Sequence, residues 1–97
     1  MLKVIMTADR PASPSVDRAL TVLEALVSAG DGMTLSGLSR ATRIPLATTA
    51  SIVYTLEERG YATRRVVGRS HFWRATSRLY ELAAPLATEA LSSPTAP

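Results

Sequence analysis

Apolar residues at helical spacing recur three times between positions 15 and 60, separated by short polar breaks. Val16, Ala19, Leu20, Leu23, Leu26 and Val27 return every three or four residues, which predicts a first helix over 16–29 with these side chains turned to the core. Ser15 is its expected cap, Asp17 suits the positive end of the helix dipole, and Gly30-Asp31-Gly32 makes a stop and a turn. Met33-Thr34-Leu35 reads as a short extended piece. A second helix over 37–42, capped by Ser36, would turn Leu38 and Ala41 inward, with Arg43-Ile44-Pro45 as the turn after it. Proline is tolerated in a first helical turn, so a third helix is expected from Pro45 to about Arg59, burying Thr49, Ile52, Val53 and Leu56. The opposite side of that helix carries Ala47, Thr48, Ser51 and Thr55.

After Gly60 the period changes to two. Tyr61–Val66 and His71–Ala75 alternate as strands around a turn at Val67-Gly68-Arg69-Ser70, a hairpin. A last helix is expected from about Ser77, with Leu79, Leu82, Leu86 and Ala90 along one side and Pro85 kinking it or ending it early. Pro11 and Pro14 disfavour helix, so residues 1–14 are expected as a flexible arm, in which Val4-Ile5-Met6 offers no more than an edge strand. The predicted organisation is an arm (1–14), a domain (15–76), a C-terminal helix (77–91) and a disordered tail (92–97). The predicted fold class is mainly α with a small β-hairpin, in the order α-α-α-β-β-α of a winged helix-turn-helix.

Ninety-seven residues fit one domain with one modest core. Aromatics are few, so that core must be aliphatic apart from Trp73, which is expected to pack the hairpin onto the helices. The absence of cysteine excludes disulfides, thiolate metal sites and cysteine nucleophiles. No apolar run approaches the roughly 20 residues that span a bilayer. Met1–Met6 is too short for a signal-peptide core, so a soluble cytoplasmic protein is expected. His71, the single histidine, has no catalytic set around it, and no enzyme, metal site or cofactor is expected.

The net charge of +3 says little by itself, but its placement says more. Arginines 59, 64, 65, 69, 74 and 78 fall in a segment with no Asp or Glu. A basic hairpin directly after a helix pair joined by a tight turn is the footprint of a surface for double-stranded DNA. The second helix of such a pair offers its outer face to the major groove. Thr48, Ser51 and Thr55, with Ala47, are the candidate readers of base edges, and Arg43 flanks the turn, where it either clamps a phosphate or stays solvated. Arg64, Arg65, Arg69 and Arg74 are the candidate phosphate contacts on the hairpin. Tyr54 is open to either a core-edge or a DNA-facing role.

In these stretches the chain resembles the N-terminal domain of IclR-type transcriptional regulators. The likeness runs from Ser15 to Ala83. It rests on Ser15-Val16-Asp17-Arg18-Ala19-Leu20, Leu23-Glu24-Ala25-Leu26, Leu35 to Thr42, Ile44-Pro45 with Thr48, Leu56-Glu57-Glu58-Arg59-Gly60-Tyr61, Trp73-Arg74-Ala75-Thr76 and Arg78 to Ala83. The resemblance implies a DNA-binding transcriptional regulator, with the last helix and the first forming a homodimer contact. The chain departs from the family's pattern at four places. Leu46 stands where a basic residue is usual, Ala50-Ser51 where His-Arg is common, Arg43 at the turn glycine and Thr76 at the glycine after the wing. The recognition helix is thus short of charged readers, and affinity is expected to lean on the wing. Family members continue into an effector-binding domain; no small-molecule effector is expected here. The competing expectation is a winged-helix protein-interaction module with little DNA binding, in which Phe72, Leu79, Leu82 and Leu86 would form the partner surface.

Overall fold

The computed structural model describes residues 12–92, with side chains over 12–87. Four helices and one hairpin follow in the order α1 (Pro14–Ala29), α2 (Leu35–Thr42), α3 (Leu46–Glu58), β1 (Ala62–Val67), β2 (Ser70–Ala75) and α4 (Arg78–Ser92). This is the α-α-α-β-β-α order expected of a winged helix-turn-helix. Residues 1–11 of the expected arm and 93–97 of the expected tail lie outside the described residues, as does the side chain of Ala90.

The core is one cluster: Val22 and Leu26 of α1, Leu38 of α2, Ile44 of the turn, Val53 of α3, and Ala62 and Trp73 of the hairpin. Thr49 is buried among them. The predicted stripe of α3 is inward, with Thr49 and Val53 buried and Ile52 and Leu56 half-buried. The predicted face of α1 is rotated. Val22, absent from the predicted stripe, is fully buried, whereas Val16, Leu20 and Val27 are more than half exposed. The helix carries apolar residues around much of its circumference, so spacing alone does not say which stripe meets the core. Ala41, expected to face inward, is exposed.

Two caps differ from expectation by two residues each. Ser13, not Ser15, caps α1 by accepting from Val16 N–H at 3.3 Å, and Pro14 begins the helix. Proline at a first helical position costs no hydrogen bond, so Pro14 starts α1 instead of extending an arm. Thr34, not Ser36, caps α2, its Oγ1 accepting from Gly37 N–H at 3.0 Å. The extended piece before it forms a bridge: Met33 N–H donates to Trp73 O and Trp73 N–H to Met33 O, at 2.9 and 2.8 Å. This ties the start of α2 to the hairpin.

The strands are antiparallel, pairing Ala62 with Ala75, Arg64 with Trp73 and Val67 with Ser70. The loop has two residues, Gly68-Arg69, and Gly68 takes a φ of +63°, as the first position of a tight II′-type hairpin turn demands. Pro85 does not end α4, which continues to Ser92. The carbonyl of Glu81, which loses its helical donor at Pro85, belongs to an exposed residue, where water can take the donor's place.

Candidate nucleic-acid interface

The joint between α2 and α3 sets the pose of the third helix. Arg43 ends α2 in the left-handed region, at φ 61° and ψ 31°, with its N–H donating to Ser39 O at 2.8 Å. A side chain there costs about 1–2 kcal/mol relative to right-handed backbone. Two hydroxyls then converge on one carbonyl: Ser39 Oγ donates to Ile44 O at 2.6 Å and Thr49 Oγ1 to the same oxygen at 3.2 Å. Thr49 Oγ1 also lies 3.0 Å from Pro45 O. The turn is thereby held from both helices.

The outer face of α3 exposes Ala47, Ser51, Tyr54 and Thr55, and Thr48 is half-buried. Thr55 Oγ1 donates to Ser51 O at 2.9 Å, so its hydroxyl is engaged within the helix. Thr48 and Ser51 border a cleft whose other wall is Ser15 and Arg18 of α1. Arg18 thus supplies a cation beside the α3 face. Nothing in the spacing of the sequence pointed to it, because 30 positions separate it from Thr48. Arg43 is exposed on the turn.

Strand alternation sorts the hairpin arginines onto different sides. Ala62, Arg64 and Val66 share the face of Trp73, which packs on the helices, whereas Arg65 pairs with Phe72 and Thr63 with Arg74 on the other face. Arg64 is accordingly drawn inward. Its Nε and Nη2 donate to the two carboxylate oxygens of Glu57 at 2.9 and 2.8 Å, its Nη1 lies 3.2 Å from His71 Nδ1, and its guanidinium stacks 4.4 Å from the Trp73 ring. The Arg64 hydrogen bond holds Glu57 below the usual carboxylate range and raises Arg64 in turn; both shifts describe one ion pair. Arg64 therefore fastens the hairpin to α3.

Among the described residues, no carboxylate pairs with Arg65, Arg69 or Arg74. Arg65 lies 5.6 Å over Phe72, which is half-buried. Phe72 is further hemmed in at Gly32, where an added Cβ would stand 3.4 Å from the Phe72 Cβ. Of the expected partner surface, Leu82 and Leu86 are 61% and 68% exposed, and Leu79 is half-buried where α4 meets Leu26 and Val27.

A three-helix core with a joined hairpin wing makes this a winged helix-turn-helix domain, the class of DNA-binding transcription regulators. Residues 15–65 match the model of the IclR helix-turn-helix domain, and the chain belongs to that family. No curated protein is significantly similar to it in sequence. A crystal structure from Archaeoglobus fulgidus is similar in fold, with a TM-score of 0.61 at 16% identity over 79% of this chain and 90% of that one. The homodimeric winged helix-turn-helix DNA-binding domain of a possible ArsR-family transcriptional regulator from Mycobacterium bovis gives 0.56 at 24% identity, over 79% of each chain. A MarR family transcriptional regulator from Silicibacter pomeroyi gives 0.52 at 25% identity, covering 72% of this chain and 49% of that one.

Proposed function

We propose that the domain grips duplex DNA with the outer face of α3 in the major groove and the hairpin on the sugar-phosphate backbone. Thr48, Ser51 and Thr55, with Ala47, meet base edges; Arg65, Arg69 and Arg74 hold phosphates; Arg43 and Arg18 flank the helix; Arg64 positions the wing. The observation that carries this reading is three arginines, without a carboxylate partner among the described residues, on the hairpin that follows an exposed helix face. Before Glu57 that face has no charged residue, so backbone contact supplies most of the affinity and small side chains supply the reading. A gel shift against random duplex pools at two salt concentrations tests it. Binding that weakens with salt is expected, and no duplex binding at the lower salt would overturn the proposal.

The exposed apolar side chains support a second copy of the chain as partner. Val16, Leu20 and Val27 on α1 follow the four-and-seven spacing of a helix seam; Val27 shares a cleft with Leu79 and Tyr80 of α4, and Leu82 and Leu86 are exposed further along that helix. Two-fold pairing through α1 and α4 would present two α3 helices to two half-sites. Leu20→Glu should leave the fold intact, because Leu20 is 52% exposed, and should shift sedimentation from dimer to monomer. An unchanged mass would remove α1 from the interface.

A further inference from the structure

Between the hairpin tip and the start of α2 lies a cleft of about 370 Å³, lined by Thr34, Leu35, Ser36, Tyr54, Arg69–His71 and Trp73. Its lining contains no carboxylate. It gathers hydrogen-bond donors instead. Within the first turn of α2, Gly37 N–H is taken by Thr34 Oγ1 and Leu38 N–H by Thr34 O. The N–H groups of Leu35 and Ser36 are left without an intrahelical acceptor, at the positive end of the dipole. Ser36 and Ser70 add hydroxyls, and Arg69 adds a guanidinium with no carboxylate partner among the described residues. Because Arg64 donates to His71 Nδ1, the proton of the neutral ring sits on Nε2 and makes it a donor.

Trp73 supplies an independent observation. It is 1% exposed, it lines the cleft, and its indole N–H is the one buried side-chain polar atom among the described residues that finds no partner. Buried donors ordinarily have a partner, and an orphan beside a cleft rich in donors marks a place for an acceptor. Tyr54 belongs both to this cleft and to the outer face of α3, where it borders Ser51 and Thr55. The cleft therefore shares Tyr54 with the surface proposed for DNA.

We infer that this cleft seats a single phosphate group, held by the N-terminus of α2, Arg69, His71 and the Trp73 edge. On the proposed function, on which this assignment of source rests, the group is one phosphodiester of the duplex backbone. Arg69 then does not reach freely into solvent; it closes one phosphate against a helix terminus, which fixes where the wing lies relative to α3.

The test has two arms. In the first, inorganic phosphate is titrated into the whole chain at constant ionic strength, balanced with chloride, and amide and indole resonances are followed by NMR. Trp73 is the only tryptophan, so its indole N–H gives a single signal. Saturable shifts confined to Leu35, Ser36, the 69–71 tip and that indole are expected, and they should vanish in Ser36→Glu. Glutamate in the first turn suits the helix dipole, so this variant keeps its fold while filling the cleft with like charge. Absence of saturable shifts overturns the seat, whatever the chain does with DNA. In the second arm, Ser36→Glu should bind duplex about tenfold more weakly than the parent, since like-charge juxtaposition is costly. Parental duplex affinity in that variant overturns the backbone assignment. Phosphate shifts in a chain that binds no duplex would instead refute the proposed function and make the seat one for a free phosphate.

Discussion

If Arg64 fastens the wing while Arg69 and its neighbours hold phosphates, salt dependence should separate them. Each phosphate contact to B-form DNA contributes about 0.9 to the slope of log affinity against log salt, so a fourfold rise in salt costs about 3.5-fold in affinity per contact. Arg65, Arg69 and Arg74, all without carboxylate partners among the described residues, together account for a slope of about 2.7, or roughly 40-fold over that range. Replacing the three by Ala should flatten the slope by that amount. Arg64 requires a different perturbation, because removing it alone leaves the Glu57 carboxylate unpaired near the DNA. The double variant Glu57→Gln with Arg64→Met removes one charge of each sign and keeps the net charge at +3. Its slope, measured by fluorescence anisotropy of a labelled duplex over a range of sodium chloride, should equal that of the parent, with affinity lowered by a common factor at every salt concentration. A slope lower by about 0.9 in the double variant would refute the reasoning, because it would mean Arg64 leaves Glu57 for a phosphate.

Three further outcomes follow from the same contacts. Ser39→Ala and Thr49→Val should each cost about 1 kcal/mol in urea unfolding, and together more than their sum, because only the double variant leaves the carbonyl of the buried Ile44 without a donor; strict additivity would show that the two hydroxyls do not share that oxygen. Glu57 has a folded-state pKa below its ordinary 4.5, so its pair with Arg64 contributes stability above that pH and loses it as pH falls through the lowered value. The midpoint difference between the parent and Glu57→Gln should therefore be present at neutral pH and disappear in acid; a difference that persists in acid would assign it to packing. Arg43→Gly should raise the unfolding free energy by about 0.5–1 kcal/mol by relieving a left-handed side chain, while weakening duplex binding; lower stability would show that the Arg43 side chain earns more than its backbone strain costs.

The order of elements was legible because it depends on period and punctuation. Gly60 before an alternating stretch and Pro45 before an apolar stripe leave few other readings. The inner face of α3 was legible for the same reason, with small or polar residues over most of the rest of its surface. The face of α1 was not, because Val16, Leu20 and Val27 have the spacing of a core stripe and lie exposed. Periodicity reports that a face is apolar, not what covers it. The caps were misplaced because Ser13 and Ser15, or Thr34 and Ser36, are chemically equal candidates; only Pro14 favoured the earlier serine. At the candidate site, the run of arginines was visible, yet its partition was not. Whether Arg64 faces Glu57 depends on strand register and on where β1 meets α3, which no local pattern encodes.

That partition changes what the charge block means. Six arginines in one segment suggest a uniform electrostatic surface, but a pleated hairpin cannot present neighbouring residues on one side. Arg64 and Arg65 are adjacent in sequence and opposite in duty: one lies over Trp73 in a two-point bond to Glu57, the other lies over Phe72 on the far face. The inward arginine also cancels an acid at the end of α3, where the proposed binding mode would bring phosphates close. Removing Glu57 repulsion and fixing the wing angle are thus one act of one side chain. The consequence for binding is geometric. The hairpin is tied to α3 through Arg64 and Glu57 and to α2 through the Met33–Trp73 bridge, which fixes its angle against the outer face of α3. On the proposed binding mode, a chain with no charged residue on α3 before Glu57 depends on that fixed angle, because small hydroxyls discriminate between bases only when backbone contacts hold them in register.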